Sequence, residues 1–422
     1  MEHYRLNNLD ITLEREGAKR FTKASYPIRY GRFCEIETQN YLFQFNLNGE
    51  IKYIRGLTRD WPHPAEWLKR TDADDWVYYS TGGYRGTFHV LGEYYLPCLP
   101  YPSNSVYGYN PFADGNIQQA FAAWSRLLTD IRSLQANGMP ATIKDFIGLI
   151  SDCDSHTLRM KSEKLHRIIG GQVSVLPPDT RHVDYGVIPL MLADGCLYHC
   201  GFCCIKSRQS FRLRSQNNVR QQIRQLQAFY GADLTNYNAV FLGNHDALAA
   251  GRERICMAAA EAYAAFGFEK AYVKNPALFL FGSVDSLLDA ETNLFEALNR
   301  GPFYTYINIG LESMDAATLR SIDKPLEIYK IEDAFRMMLA VNRSYPNLEI
   351  TANFLLGDRL PPDHYQALIK LIRNRLDRYY SKGAIYLSPL NTSRDNRRLL
   401  RTFVEIKNLS RLPTYLYLIQ RL

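Results

Sequence analysis

Hydrophobic and polar positions alternate along the first part of the chain with the two-residue period of β-strands. YLFQFNLNGEIKYI (41–54) carries two such runs on either side of an Asn-Gly pair, which predicts a β-hairpin. Apolar residues over 117–134 instead recur every three or four positions, which predicts a helix. A further short helix is predicted over 143–150. We therefore expect residues 1–180 to form a separate α+β accessory domain.

From about residue 183 the pattern changes, because short apolar runs alternate with amphipathic segments. The strands are predicted at 187–193, 238–242, 278–281, 304–311, 350–356 and 384–389. The helices between them are predicted at 218–230, 252–266, 286–299, and from Asp315, Ile328 and Pro362. Six such repeats imply a parallel sheet with right-handed crossovers. The predicted fold class is α/β, with a partial (β/α)6 TIM-like barrel over 181–391 and a basic helical tail over 392–422.

Length and composition set the broad class of the protein. A chain of 422 residues suggests two or three domains, and an apolar fraction of 46% is that of a globular protein. No segment runs long enough without charge to span a bilayer. The N-terminal sequence MEHYRLNNLDITLERE has no apolar segment typical of a secretory signal. We therefore expect no membrane partner and a cytoplasmic location.

Four of the eight cysteines lie in one short stretch, directly after the first apolar strand of the β-α series. Cys196, Cys200 and Cys203 have the spacing C-x3-C-x2-C. The C-terminal ends of strands are where β-α folds build their sites. Three thiolates can hold three irons of a four-iron cube, which leaves the fourth iron open to a small molecule. The sequence thus predicts a [4Fe-4S] cluster on these three cysteines.

Two other interpretations of the cysteine cluster stay open. A zinc site could use all four cysteines, although zinc sites prefer two spaced pairs and Cys203 and Cys204 are adjacent. A cluster could also serve electron transfer alone, but that use ordinarily needs a fourth protein ligand.

The cysteine loop resembles the CxxxCxxC motif of the radical S-adenosylmethionine (SAM) superfamily, including the aromatic Phe202 before the third cysteine. The resemblance covers about residues 183–390. Its further motifs follow in the expected order: VFLGNHDAL (240–248), FGS (281–283), NIGLES (308–313), LRSIDKP (319–325), NFLLG (353–357) and YLSPL (386–390). They are similar to the branch that contains coproporphyrinogen dehydrogenases, methylthiotransferases and elongator-type enzymes. The chain departs from that branch at Asn244 and His245, where members often carry acidic or glycine residues.

The resemblance implies that SAM binds the open iron through its amine and carboxylate. The residues that it implies as SAM contacts are Phe202, Gly243, Asn244, Ser283, Glu312, Lys324 and Asn353. Their chemistry agrees with that role. Gly243 permits close approach of the backbone, Glu312 can accept from an ammonium or a ribose hydroxyl, and Lys324 offers a cation to a carboxylate.

Several of these residues also have a purely structural interpretation. Glu312 could cap the helix that begins near Asp315, and Lys324 could be a charge at the end of a helix. Ser283 and Asn353 could hydrogen-bond a carboxylate or a ribose, and a buried amide such as Asn353 needs partners in either case.

The implied activity is reductive cleavage of SAM to a 5′-deoxyadenosyl radical that takes hydrogen from a small-molecule or peptide substrate. The implied partners are that substrate and an electron donor such as flavodoxin or ferredoxin. A radical SAM enzyme that modifies RNA is an alternative, supported by basic residues within 206–224 and 394–411 and by a net charge of +7. A non-catalytic iron–sulfur protein is a second alternative.

Overall fold

Two β-sheets and the helices around them organise the chain. The computed structural model describes residues 1–21, 29–82, 85–99, 110–134, 139–184, 186–203, 210–243, 245–390, 396–418 and 421–422. Within these ranges, no helix is both long enough and apolar enough to cross a membrane.

The first sheet is an antiparallel meander of eight strands whose order in the sheet is their order in the chain. The strands are β1 (Glu2–Leu6), β2 (Leu9–Glu16), β3 (Arg32–Glu37), β4 (Tyr41–Phe45), β5 (Ile51–Gly56), β6 (Trp67–Arg70), β7 (Trp76–Ser80) and β8 (Leu96–Cys98). The predicted hairpin is confirmed, because β4 and β5 pair antiparallel. Gly49 in its turn has φ of 80°, and a Cβ there would lie 2.8 Å from the backbone of Leu149.

Four helices belong to this part of the chain. They are α1 (Arg85–Leu91), α2 (Gly115–Ser133), α3 (Ala141–Ser151) and α4 (Ser155–Ile169). The predictions for 117–134 and 143–150 are confirmed as α2 and α3. Asp114 caps α2 by accepting a hydrogen bond from the backbone nitrogen of Asn116 at 2.8 Å, as expected for an N-cap carboxylate. The apolar stripe that predicted α2 is buried at Ile117, Trp124 and Ile131.

The second sheet has seven parallel strands, in the order β9-β12-β13-β14-β15-β16-β17. The strands are β9 (Val187–Pro189), β12 (Ala239–Phe241), β13 (Ala277–Gly282), β14 (Tyr304–Glu312), β15 (Leu348–Leu356), β16 (Ile385–Pro389) and β17 (Thr414–Leu416). The short strands β10 (Ala193–Asp194) and β11 (Arg212–Leu213) pair antiparallel with each other. The predicted parallel sheet of a mixed α/β fold is therefore confirmed.

Helices connect the parallel strands. They are α5 (Gln216–Tyr230), α6 (Gly251–Ala265), α7 (Val284–Leu288), α8 (Thr292–Arg300), α9 (Ala316–Ser321), α10 (Ile328–Ser344), α11 (Pro362–Ile369) and α12 (Asn396–Leu409). The single helix predicted at 286–299 is wrong, because two helices, α7 and α8, occupy that stretch. The chain leaves helical geometry at Glu291, where ψ is 133°, and this break lets α8 bury its own apolar face at Leu294, Phe295 and Leu298.

The C-terminal segment differs from the helical tail predicted over 392–422. After α12 the chain returns to the sheet as β17, which pairs parallel with β16. The sheet therefore has one strand more than the six predicted. Burial explains the difference, because Leu416, Tyr417 and Leu418 are all buried and close this edge of the core.

Polar contacts join the first sheet to the segments that lead into the second sheet. Asp184, between the two parts, accepts hydrogen bonds from the ammonium of Lys69 and the hydroxyl of Tyr79. The side-chain amide of Asn236 accepts from the backbone nitrogen of Arg32 at 2.6 Å and donates to its carbonyl at 2.7 Å. The segments that lead into β9 and β12 are therefore both fastened to the first sheet.

Candidate functional site at the cysteine loop

The loop that carries the three cysteines follows β9 and β10, at the C-terminal edge of the parallel sheet. Cys196 forms an isolated parallel bridge with Ser210. The backbone nitrogen of Gly201 donates a 2.8 Å hydrogen bond to the carbonyl of Ile322, and a Cβ at Gly201 would lie 2.7 Å from a carboxylate oxygen of Asp323. The loop is thus packed against the turn that follows α9.

Tyr198, between the first two cysteines, ties the loop to a second element. Its hydroxyl hydrogen-bonds the carboxylate of Asp285 and accepts from the backbone nitrogen of the same residue at 3.3 Å. Asp285 stands in the first turn of α7, where a negative charge is favoured, and also accepts from Lys330 at 2.8 Å. The ring of Tyr198 lies 5.2 Å from the ammonium of Lys324, within cation–π distance.

The three thiols differ in their surroundings. Cys200 is buried, whereas Cys196 and Cys203 are half-buried. Burial raises the pKa of the Cys200 thiol, the ammonium of Lys324 opposes that effect, and Glu312 and Cys196 add to it. These groups therefore share one electrostatic neighbourhood.

The described part of the chain contains no three His, Cys, Asp or Glu side chains arranged to hold one metal ion. A four-iron cube makes a different demand from a single ion, because each thiolate binds a separate iron at its own corner. The chemistry of the donor set, three thiols in one short loop, fits the cube.

Glu312 and Lys324 form a buried ion pair beside this loop. The Nζ atom of Lys324 lies 3.3 Å from Oε1 of Glu312 and donates to the carbonyl of Gly310 at 2.9 Å. Glu312 has φ of 64°, a left-handed conformation that costs energy in a non-glycine residue and is often found at functional sites. Burial raises the pKa of Glu312, and Lys324 lowers it.

The contacts of Glu312 and Lys324 differ from the structural roles, a helix cap and a helix-end charge, that the sequence also allowed. Asp315, and not Glu312, caps α9, because its carboxylate accepts from the backbone nitrogen of Thr318 at 2.8 Å. Lys324 does not serve as a helix-end charge either, since its ammonium bonds Gly310 and Glu312.

Gly243 follows β12 at the same edge of the sheet. Its φ is 119°, and a Cβ there would lie 3.2 Å from the sulfur of Met191, so glycine is favoured by both conformation and space. Asn244 lies outside the described residues. His245 is half-buried, and burial lowers its pKa.

Asp246 is a further candidate residue at this edge that the sequence analysis did not name. It is buried, and its Oδ1 accepts from the Ser286 hydroxyl at 2.7 Å and from the backbone nitrogen of Ala249 at 3.3 Å. Its Oδ2 has no hydrogen-bond partner within the described ranges, and burial raises its pKa. An acidic residue three positions after Gly243 is the sequence feature that could have indicated it.

Two of the implied SAM contacts already have partners within the chain. The Ser283 hydroxyl caps α7 by accepting from the backbone nitrogen of Ser286 at 3.0 Å. Asn353 exchanges two hydrogen bonds with Asn308 on the neighbouring strand, at 2.5 and 3.1 Å. Phe202 is half-buried in the cysteine loop.

A chain of hydrogen bonds continues from this amide pair along one face of the parallel sheet. Asn308 donates to the hydroxyl of Thr351 at 2.9 Å, and that hydroxyl donates to Asp179 at 2.8 Å. The hydroxyl of Tyr386 donates to the other oxygen of Asp179 at 2.7 Å. Burial raises the pKa of Asp179 to about 7. The 3₁₀ segment Pro178–His182 therefore covers this face near the start of the strands.

Of the comparisons with known proteins, the one with solved structures gives matches. No family model and no curated protein matches the chain. Among solved structures, it is similar to a radical SAM methyltransferase from Sphaerobacter thermophilus, with 14% identity over 55% of this chain and 65% of that one and a TM-score of 0.36. This chain is similar to radical SAM enzymes.

Two further solved structures extend the comparison. The cobalamin-dependent S-adenosylmethionine radical enzyme OxsB matches with 14% identity over 54% of this chain and 31% of that one, at a TM-score of 0.34. SuiB of Streptococcus suis matches with 10% identity over 90% of this chain and 71% of that one, at a TM-score of 0.39. The chain thus covers less than two thirds of the radical SAM methyltransferase and of OxsB. At these identities and TM-scores the likeness carries no argument about activity, which rests on the residues of the site.

Proposed function

We propose that this protein is a radical SAM enzyme that holds a [4Fe-4S] cluster on Cys196, Cys200 and Cys203. The observation that carries the proposal is the contact between the cysteine loop and the turn that bears Lys324. A buried acid–base pair, Glu312 and Lys324, thereby lies near the Cys200 thiol of the loop, at the C-terminal edge of a parallel sheet. Structural roles alone leave this combination unexplained.

The three thiols suit an iron–sulfur cube with one open corner. Cys200 is buried beside the ammonium of Lys324, and a cation near a thiolate stabilises its charged form. In this proposal each thiolate binds one iron, and the fourth iron is left for the amine and carboxylate of SAM.

The proposed SAM contacts surround that corner. Gly243 leaves room for the methionyl amine, and Asn244 is the next residue in the sequence. Glu312 accepts from the ammonium or from a ribose hydroxyl, while Lys324 faces the carboxylate. Ser283 and Asn353 contribute through the remaining hydrogen or lone pair of side-chain atoms that already bond Ser286 and Asn308. Phe202 packs near the adenine.

When bound, these cofactors supply a one-electron cleavage of the C5′–S bond of SAM, which yields methionine and a 5′-deoxyadenosyl radical that takes hydrogen from a substrate C–H bond. The protein binds, orients and excludes water. Tyr198 holds the cysteine loop against α7, and the segment Pro178–His182 fills the inner face of the sheet below the site. Both contacts help to keep water away from a reactive radical.

In the same proposal, the sequential parallel strands form a partial barrel and the antiparallel sheet is its accessory domain. The substrate is a small molecule or a peptide, and an electron donor such as flavodoxin or ferredoxin reduces the cluster. The order of the strands supports the barrel, since parallel strands that follow one another in the chain lie side by side in the sheet.

The test is anaerobic reconstitution followed by iron analysis and assay of SAM cleavage. We expect about four irons per chain, an electron paramagnetic resonance spectrum that changes when SAM is added, and release of 5′-deoxyadenosine with dithionite. Cys200→Ala should lose both iron and 5′-deoxyadenosine.

Cys256→Ala is the matched control, because Cys256 is a half-buried cysteine on α6, outside the loop. It should keep both properties. Zinc in place of iron, or an unchanged spectrum on addition of SAM, would overturn the proposal.

A further inference from the structure

Four buried polar side chains form one hydrogen-bonded chain that ends at the candidate functional site: Asp179, Thr351, Asn308 and Asn353. Asn353 is 8% exposed, whereas each of the other three is at most 1% exposed, so Asn353 is the end of the chain that a ligand can reach. In the register of β14 and β15, Asn353 lies opposite Gly310, and the carbonyl of Gly310 accepts from Lys324.

The direction of the hydrogen bonds is fixed at the end of the chain that lies away from the site. The guanidinium of Arg181 donates to the hydroxyl of Tyr386 at 3.2 Å, and a guanidinium cannot accept a hydrogen bond. The Tyr386 hydroxyl therefore gives its own hydrogen to Oδ1 of Asp179, at 2.7 Å. One oxygen of Asp179 is thus an acceptor, and the other oxygen faces Thr351.

The charge of Asp179 then sets the direction at Thr351. As a carboxylate, Asp179 accepts from the Thr351 hydroxyl at 2.8 Å, and that hydroxyl in turn accepts from the amide nitrogen of Asn308 at 2.9 Å. A hydroxyl has one hydrogen, so a donor in place of the carboxylate would turn this hydrogen towards Asn308. Burial raises the pKa of Asp179 to about 7, and the hydrogen bond from Tyr386 limits this rise, so the carboxylate predominates at pH 8.

The orientation of Asn308 determines that of Asn353. The oxygen of Asn308 accepts from the amide nitrogen of Asn353 at 2.5 Å, and the nitrogen of Asn308 donates to the oxygen of Asn353 at 3.1 Å. If one amide reversed, the other would have to reverse as well, because two nitrogens and two oxygens would otherwise face each other. Reversal would exchange the nitrogen and the oxygen of Asn353, and with them the hydrogen and the lone pair that remain for a ligand.

We propose that Asp179 is a positioning residue for SAM, which acts through Thr351 and Asn308 to hold the amide of Asn353 in the orientation that SAM requires. This inference rests on the proposed function, in which Asn353 contacts SAM. Asp179 also anchors the segment Pro178–His182 to the sheet. An anchoring role depends on the number of hydrogen bonds to Asp179, whereas the proposed role depends on their direction.

The test is equilibrium dialysis of labelled SAM with the cluster-loaded full chain at pH 8. Thr351→Val removes the hydroxyl that links Asp179 to Asn308 and should weaken SAM binding about three- to tenfold. Thr351→Ser keeps the hydroxyl and should bind SAM within about twofold of the unchanged protein.

Thr305→Val is the matched control for Thr351→Val. Thr305 is a buried threonine of β14 whose hydroxyl has no hydrogen-bond partner within the described ranges. The same chemical change at this position should leave SAM binding unaltered.

Asp179→Asn is a second variant that reverses the chain without removing a link. Because Tyr386 still donates to the oxygen at position 179, the amide nitrogen introduced there should face Thr351 and donate to it. SAM binding should weaken by about the same factor as in Thr351→Val. A protein with both substitutions should bind no more weakly than either single variant, as expected for residues that act through one network.

Circular dichroism and iron analysis identify the variants that fold and keep the cluster, and either folded variant decides. The inference is overturned if Thr351→Val or Asp179→Asn binds SAM as tightly as the unchanged protein, if Thr351→Ser binds as weakly as Thr351→Val, or if the two losses add. Loss of the fold in both variants would identify Asp179 as a structural anchor and would overturn it too. Absence of SAM binding by the unchanged protein would instead overturn the proposed function itself, so the two failures are distinguishable.

Discussion

Two buried lysine–carboxylate pairs in this protein have opposite surroundings. Between the two sheets, Asp184 receives the ammonium of Lys69 and the hydroxyls of Tyr79 and Tyr53. A carboxylate offers about four acceptor positions, so three donors nearly fill it. This pair has little capacity for a further ligand.

The pair at the C-terminal edge is only partly satisfied. Lys324 lies 3.3 Å from Glu312, and no other described residue donates a hydrogen bond to this carboxylate. Both acids have positive φ, 54° for Asp184 and 64° for Glu312, so backbone strain does not distinguish them. The number of hydrogen-bond donors to each carboxylate does distinguish them. It indicates that the Asp184 pair is structural and that Glu312 can accept a hydrogen bond from a ligand.

The largest expected effect is the loss of stability on changing Asp184 to Ala. The substitution leaves the buried ammonium of Lys69 without its partner, which destabilises proteins by about 3–5 kcal/mol. Urea unfolding measured by circular dichroism should show this decrease in the free energy of unfolding.

Asp10→Ala is the control for Asp184→Ala, because Asp10 forms only long, exposed ion pairs with His3 and Arg5. Its free energy of unfolding should stay close to that of the unchanged protein. A loss below about 1 kcal/mol for Asp184→Ala would show that the pair between the sheets is not a structural anchor.

Glu312→Gln should have a smaller effect, and this effect should be on SAM binding and not on stability. Under the proposed function, SAM should bind about 10- to 100-fold more weakly, because a hydrogen bond to a charged group contributes about 1.5–3 kcal/mol. The iron content should be unchanged, since Glu312 is not proposed to bind iron. Equilibrium dialysis with labelled SAM and iron analysis measure the two quantities.

Glu253→Gln, on an exposed acid of α6, should alter neither quantity. If Glu312→Gln loses iron or unfolds as readily as Asp184→Ala, the two pairs have the same structural role and the contrast between them fails.

Local patterns in the sequence predicted the elements whose structure depends on residues close together in the chain. Alternation around an Asn-Gly pair gave the hairpin of β4 and β5, and helical spacing gave α2. The alternation of apolar and amphipathic segments gave the parallel sheet. The barrel closure, the domain boundaries, the cluster and the SAM contacts stay predictions.

The remaining features depend on contacts between distant residues. β17 has three residues and owes its place to pairing with β16, so its own sequence is too short to indicate a strand of the sheet. Asn353 was expected to need a partner, but only the register of β14 and β15 identifies Asn308 as that partner. The donors to Asp184 come from three strands, β5, β6 and β7, which no local spacing reveals.

The smallest effect is expected for Tyr198→Phe, which tests whether the cysteine loop is fixed separately from the Glu312–Lys324 pair. The substitution removes the hydroxyl that bonds Asp285 but keeps the ring beside Lys324. Loss of the hydroxyl and its two hydrogen bonds with Asp285 should decrease the free energy of unfolding by only about 0.5–1.5 kcal/mol, because Asp285 keeps its contact with Lys330. Because the loop loses its attachment to Asp285, the cysteine thiols of the iron-free protein should react faster with an alkylating reagent.

Tyr379→Phe is the control, because the side chain of Tyr379 is 78% exposed and should affect neither stability nor thiol reactivity. If Tyr198→Phe instead weakens SAM binding as much as Glu312→Gln does, the loop and the ion pair act as one unit. The partly satisfied carboxylate would then depend on the position of the loop, and the count of donors alone would no longer separate a binding pair from a structural one. Unchanged SAM affinity together with faster alkylation would show that Tyr198 fixes the thiols and that Glu312 keeps its place through Lys324.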